Sequence, residues 1–302
     1  MSFILTTQNL SKKYGRIQAL NNVSLQVPKG SVFGLLGPNG SGKTTLLSII
    51  LQVLHANEGS FSWFGKPMQA ATHQQIGSLL ETPNFYHYLS AVDNLRITEA
   101  ISGRGDKWPI DHVLEVVKLS ERKHNKFSTY SLGMKQRLAI AAALLGKPDV
   151  LVLDEPTNGL DPVGIIEIRE LIKTLANEGI TVIIASHLLD EIEKICSHVA
   201  ILKKGHLLSS GTIEEVLVHN DMVIVGTENP TNLNTIAANL PGCIKVIDKE
   251  NGKWLLHFEQ GKANLANINS FFYNQGIVLN LLAPQKRSLE SKFFELTNNP
   301  NA

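Results

Sequence analysis

The chain has 302 residues, 43% of them apolar, and a formal net charge of +1 at pH 7. That length exceeds one typical domain, so one large domain and a smaller one are expected, while the balanced charge is by itself uninformative about nucleic acid; no basic tail or stripe stands out, and nucleic acid is not an expected partner. Only Cys196 and Cys243 occur, far apart and without a CxxC pair, which suggests neither a disulfide framework nor a zinc site and fits two reduced packing thiols.

The first fifteen residues turn polar too soon for a signal peptide or anchor. No apolar run reaches the roughly 20 residues that a membrane-spanning helix needs, so neither export nor a channel is expected. Residues 3–33 alternate apolar and polar positions and carry turn signals at Tyr14-Gly15 and Pro28-Lys29-Gly30, which reads as short antiparallel strands. Residues 32–36 form a continuous apolar strand, followed by a glycine-rich turn and a helix through residues 44–54. Between residues 89 and 145 apolar positions recur at helical spacing, with Val113, Leu114 and Val117 on one face, and this reads as a helical insert. Residues 150–153 and 180–185 are short apolar runs rich in β-branched residues, separated by a helical stretch over 163–177, an alternation that predicts a parallel sheet covered by helices. Residues 221–302 read as strand, helix, hairpin, helix, strand, helix. The hairpin turn falls at Asn251-Gly252, and the order before the last helix is that of a βαββαβ unit. The expected domains are residues 1–215 and 216–302.

The segment Gly37-Pro38-Asn39-Gly40-Ser41-Gly42-Lys43-Thr44-Thr45 fits G-x-x-x-x-G-K-[ST] and stands where that chemistry requires, between a buried strand and a helix. Glycines let successive N–H groups converge on phosphate oxygens, and the helix N-terminus adds its positive end. Lys43 then supplies charge to the β- and γ-phosphates of ATP, Thr44 a hydroxyl ligand for Mg²⁺, and Asn39, Gly40, Ser41, Gly42 and Thr45 complete the cradle. The strand Val150-Leu151-Val152-Leu153 ends in Asp154-Glu155, the Walker B pattern of phosphate-transferring ATPases. Asp154 is the expected Mg²⁺ holder and Glu155 the general base for the attacking water.

Downstream of the helical insert, Tyr130-Ser131-Leu132-Gly133-Met134-Lys135-Gln136-Arg137 resembles the signature segment of ABC ATPases. Asn158-Gly159-Leu160-Asp161 is similar to their D-loop, and His187 matches their switch histidine. The resemblance implies a P-loop ABC ATPase domain of α/β class, with a RecA-like parallel sheet core, an antiparallel β subdomain and a helical subdomain, joined to a small α+β C-terminal domain. It also implies a head-to-tail dimer in which Ser131 and the Gly133 amide meet the γ-phosphate held by the other copy. His187 would help Glu155 orient the water, and Tyr14 would stack on adenine. Partners would be separately encoded transmembrane permeases, placing the chain on the inner face of the cell membrane.

Two departures stand out. Leu132 and Met134 replace the usual glycine and glutamine of the signature, and Glu81, in Ile76-Gly77-Ser78-Leu79-Leu80-Glu81-Thr82-Pro83, replaces the glutamine that ligates Mg²⁺ in the family's Q-loop. A carboxylate can still ligate that ion. The Glu81 variant together with the Tyr-Ser-Leu-Gly-Met signature resembles the ATPases of lantibiotic-immunity and bacitracin-resistance exporters. A motor for small-molecule or ion efflux, and a soluble ABC ATPase without a transport role, remain as alternatives.

Overall fold

The computed structural model describes residues 2–80, 84–104, 107–217, 221–228, 233–249, 252–259, 261–285 and 288–297. Contacts divide the chain into two compact units, one built on Met1–Ile213 and the other on Glu214–Glu295.

In the first unit, β1 (Phe3–Tyr14) and β2 (Ile17–Val23) form a hairpin closed at Gly15, with φ 57°. β3 (Gln26–Pro28) pairs with the first residues of β1. The next strand, β4 (Val32–Leu36), is buried along its whole length and leads into α1 (Lys43–Ile50). β5 (Glu58–Trp63) returns to pair with β1 and completes the antiparallel sheet.

α2 (Ala70–Gln74) precedes β6 (Ile76–Leu79). The helical insert follows as α3 (Ala91–Ser102), α4 (Ile110–Val116) and α5 (Leu132–Leu144). β7 (Val150–Asp154), α6 (Pro162–Asn177), β8 (Thr181–Ser186), α7 (Leu189–Ile195) and β9 (His198–Lys203) then alternate, and β10 (His206–Thr212) turns back against β9. The six-stranded sheet has the order β10-β9-β4-β8-β7-β6, parallel from β9 to β6. β7 and β8 are buried at every position, as continuous apolar runs in a doubly covered parallel sheet must be. α8 (Ile213–Leu217) straddles the division, with Glu214–Leu217 in the second unit.

One boundary differs from expectation. α1 stops at Ile50, four residues before the predicted end, because Gln52 adopts φ 59° and the N–H groups of Val53 and Leu54 both turn back to the Ser48 carbonyl. Leu51 and Leu54 still pack against the core, so the apolar pattern runs on although the helix does not.

The second unit contains β11 (Asp221–Gly226), α9 (Leu233–Ala238), β12 (Cys243–Lys249), β13 (Lys253–Phe258), α10 (Leu265–Asn274), β14 (Leu281–Pro284) and α11 (Leu289–Thr297). Its antiparallel sheet has the order β12-β13-β11-β14, the split βαβ arrangement that a βαββαβ sequence adopts. Asn251 of the predicted hairpin turn lies outside the described residues. Val223, Val225, Leu256, Phe258, Ile268 and Phe272 build a core of its own. Cys196, in the first unit, is buried, and burial pushes its thiol well above the usual cysteine range, as a packing thiol requires.

Candidate nucleotide site

The site gathers at the carboxyl ends of the adjacent strands β4, β8 and β7, the edge where ligands bind in open parallel sheets. The loop after β4 depends on two glycines for distinct reasons. Gly42 caps α1 in the left-handed region with φ 106°, and a Cβ there would lie 2.5 Å from the Ala19 carbonyl oxygen of β2. At Gly37 an added Cβ would meet Ser41 Oγ and lie 2.5 Å from the Leu202 carbonyl oxygen. No acidic residue occupies the first turn of α1 and no side chain caps it, so its leading N–H groups stay available to an anion.

Lys43 is only 6% exposed. Its Nζ donates to the Gly37 carbonyl at 2.8 Å and stands 3.5 Å from Glu155 Oε1. Thr44 Oγ1 donates to Asp154 Oδ2 at 2.7 Å, joining positions 110 residues apart. Glu155 follows β7 with φ 48°, a conformation a non-glycine residue holds only under strain, and its N–H is fixed to the Ala185 carbonyl of β8 at 2.9 Å. Its second carboxylate oxygen meets His187 Nδ1 at 2.8 Å. Glu155 thus bridges Lys43 and His187, and leaves the other imidazole nitrogen facing away from it.

Ser131 caps α5, its Oγ accepting from the Met134 N–H at 3.2 Å, and Gly133 lies in the first turn of that helix. Tyr14 stands beside the turn of the β1–β2 hairpin, 45% exposed, with Lys12 Nζ 5.3 Å from its ring centre. Ser131, Gly133 and Tyr14 make none of the contacts that tie Lys43, Thr44, Asp154, Glu155 and His187 together. Glu81 lies outside the described residues.

Two supports escaped the sequence. Gly205, with φ 81°, donates its N–H to the Ser41 carbonyl at 2.9 Å and accepts from the Asn21 N–H at 2.8 Å, so the β9–β10 turn and β2 brace the phosphate loop together. Lys204-Gly205 signals a tight turn, but nothing in that dipeptide says which loop it will meet.

These residues fit nucleotide and a hard cation. Ser41 Oγ is buried inside the loop without a hydrogen-bond partner, the loop carries a buried lysine, and a hydroxyl and a carboxylate already stand together at its edge. Mg²⁺ is ordinarily held by one or two such groups, with phosphate and water oxygens filling the rest.

The sequence pattern described as "ABC transporter" matches residues 20–158. A bacitracin transport ATP-binding protein of Enterococcus faecalis is 37% identical over 301 residues, covering 98% of this chain and 97% of the relative. The chain belongs to the ABC transporter family. A lantibiotic transport ATP-binding protein of Streptococcus pyogenes is 40% identical over 205 residues, covering 68% of this ABC subunit and 89% of the relative. Among solved structures, the ADP conformation of MJ1267, an ATP-binding cassette of an ABC transporter, matches with a TM-score of 0.64 and 30% identity, over 71% of this chain and 93% of that one. The fold expected from the motifs is therefore the one present, and this ABC subunit binds nucleotide and couples ATP hydrolysis to transport. No helix among its described residues is long and apolar enough to cross a membrane.

Proposed function

We propose that the chain drives an exporter that protects its cell from peptide antibiotics of the bacitracin and lantibiotic type. The arrangement that carries the motor reading is Glu155 held between Lys43 and His187, next to the Thr44–Asp154 pair. Lys43 and the amides of Asn39, Gly40, Ser41 and Gly42, with Thr45, hold the phosphates of ATP. Thr44 and Asp154, with Glu81 by its sequence position, would hold Mg²⁺, which would neutralise charge on the β- and γ-phosphates. As the γ-phosphate takes up Lys43, Glu155 loses that cation and becomes free to accept a proton from water, with His187 fixing its carboxylate. Tyr14 presents an exposed ring to adenine.

Each site is shared between two copies. Ser131 and Gly133 stand at the start of α5, where N–H groups of one copy can face the γ-phosphate on the other. Closure and reopening of this dimer move separate permease subunits at the inner face of the membrane. Support for the substrate class comes from the bacitracin-transport relatives of Enterococcus faecalis and Bacillus licheniformis, at 37% and 36% identity, which match along 98% of this chain.

The test is made in the chain's own host. Replacing Lys43→Ala at the native locus should lower the inhibitory concentration of bacitracin or of a lantibiotic by about tenfold, because loss of the phosphate lysine stops turnover. Unchanged sensitivity to both peptide classes would overturn the peptide reading.

A further inference from the structure

Leu132 departs from the usual signature, and the fold gives that departure a neighbour. It is the first helical residue of α5, after the Ser131 cap, a place from which a side chain leans back over the preceding turn. A Cβ built on Gly159 would lie 3.2 Å from Leu132 Cδ2 and would meet nothing else within 4 Å. Leu132 is thus the side chain nearest the Cβ position of the exposed Gly159, in the middle of the Asn158–Asp161 turn. Gly159 itself has φ 75°, so this stretch of backbone has no side chain of its own to anchor it.

That turn begins on the general base. The Asn158 N–H donates to the Glu155 carbonyl at 3.1 Å, the Leu160 N–H to the Thr157 carbonyl at 3.3 Å, and Asp161 Oδ1 caps α6 by accepting from the Gly164 N–H at 2.9 Å. The path from Leu132 to Glu155 therefore runs through this close approach to Gly159, the Asn158–Gly159 peptide bond and one hydrogen bond. A glycine at position 132 would present no side chain to Gly159.

We infer that Leu132 is a positioning residue, which packs on Gly159 to hold the turn that carries Glu155 and so joins, within one chain, the half-site offered to a partner copy and the half-site kept. This rests on the shared-site reading above. Leu132 is 47% exposed, so its truncation should disturb catalytic geometry more than folding.

The experiment compares ATP hydrolysis by the full chain with Leu132→Ala, Leu132→Gly and Leu132→Met over a range of ATP concentrations with Mg²⁺. Misplacing a catalytic group by a fraction of an ångström lowers turnover steeply, so kcat should fall about tenfold in the alanine and glycine variants with KM within about twofold. The Hill coefficient should drop towards one, and methionine, which can refill the contact, should restore both quantities. In the Glu155→Gln background, ATP and Mg²⁺ should drive the same dimerisation by gel filtration with Leu132 or with alanine in its place. Wild-type kcat and cooperativity in Leu132→Gly would overturn the proposal, as would a fall in kcat matched by lost dimerisation, which would make Leu132 an interface contact instead. A Glu155→Gln chain that stays monomeric under saturating ATP would overturn the shared-site reading and the link between half-sites with it.

Discussion

At the scale of single residues, the site is built from groups held in backbone conformations that their neighbours impose. Gly42 combines φ 106° with an approach of 2.5 Å between its missing Cβ and the Ala19 carbonyl. Alanine at position 42 would incur both the left-handed strain, of about 1–3 kcal/mol, and a collision with backbone that cannot move aside cheaply. Gly42→Ala is therefore expected to lower the denaturant midpoint and to abolish binding of a fluorescent ATP analogue, whereas Gly40→Ala, at φ 78° but with no atom within 4 Å, should retain part of that binding. Glu155 shows the converse case. Nothing in a glutamate after a strand announces φ 48°, because the conformation is set by its hydrogen bond to β8, made far along the chain.

At the scale of elements, the sequence was most legible where burial and chemistry coincide. The strands β4, β7 and β8 are short, largely apolar runs, β7 and β8 ending in polar residues and β4 running into the glycine-rich loop, so both the strand and the residues at its end could be read together. The end of α1 was not legible, since no glycine or proline marks Gln52 and the apolar spacing continues past it. The bracing of the phosphate loop by Ala19 and Gly205, and the contact of Leu132 with Gly159, were also hidden, because they arise from long-range packing that leaves no periodic trace. Capping, by contrast, is local and predictable. Asp161 accepts from the Gly164 N–H ahead of Pro162 and 15 further residues of α6, so Asp161→Ala should cost about 1 kcal/mol of stability by urea titration, and Asp161→Asn, which keeps the acceptor, should recover most of it.

At the scale of the molecule, two hydrophobic clusters among the described residues share no residue, one drawing on positions 4–202 and the other on 223–272. Removing the fully buried Leu256 side chain should destabilise the second core by about 2–5 kcal/mol. With Leu256→Ala, calorimetry should show that loss in the transition of the second unit while ATP affinity stays within about twofold; an equal loss of nucleotide binding would contradict independent cores. The separation of Thr44 from Asp154 by 110 positions, closed by one hydrogen bond of 2.7 Å, has a further consequence for how such a chain can change over generations. The intervening helices can lengthen or shorten by insertion without moving either partner. The strands cannot, because a single residue added within β4, β7 or β8 advances its end by about 3.3 Å and reverses which face every later side chain presents. Variation in length is therefore tolerated in the insert and forbidden in three runs of five or six residues.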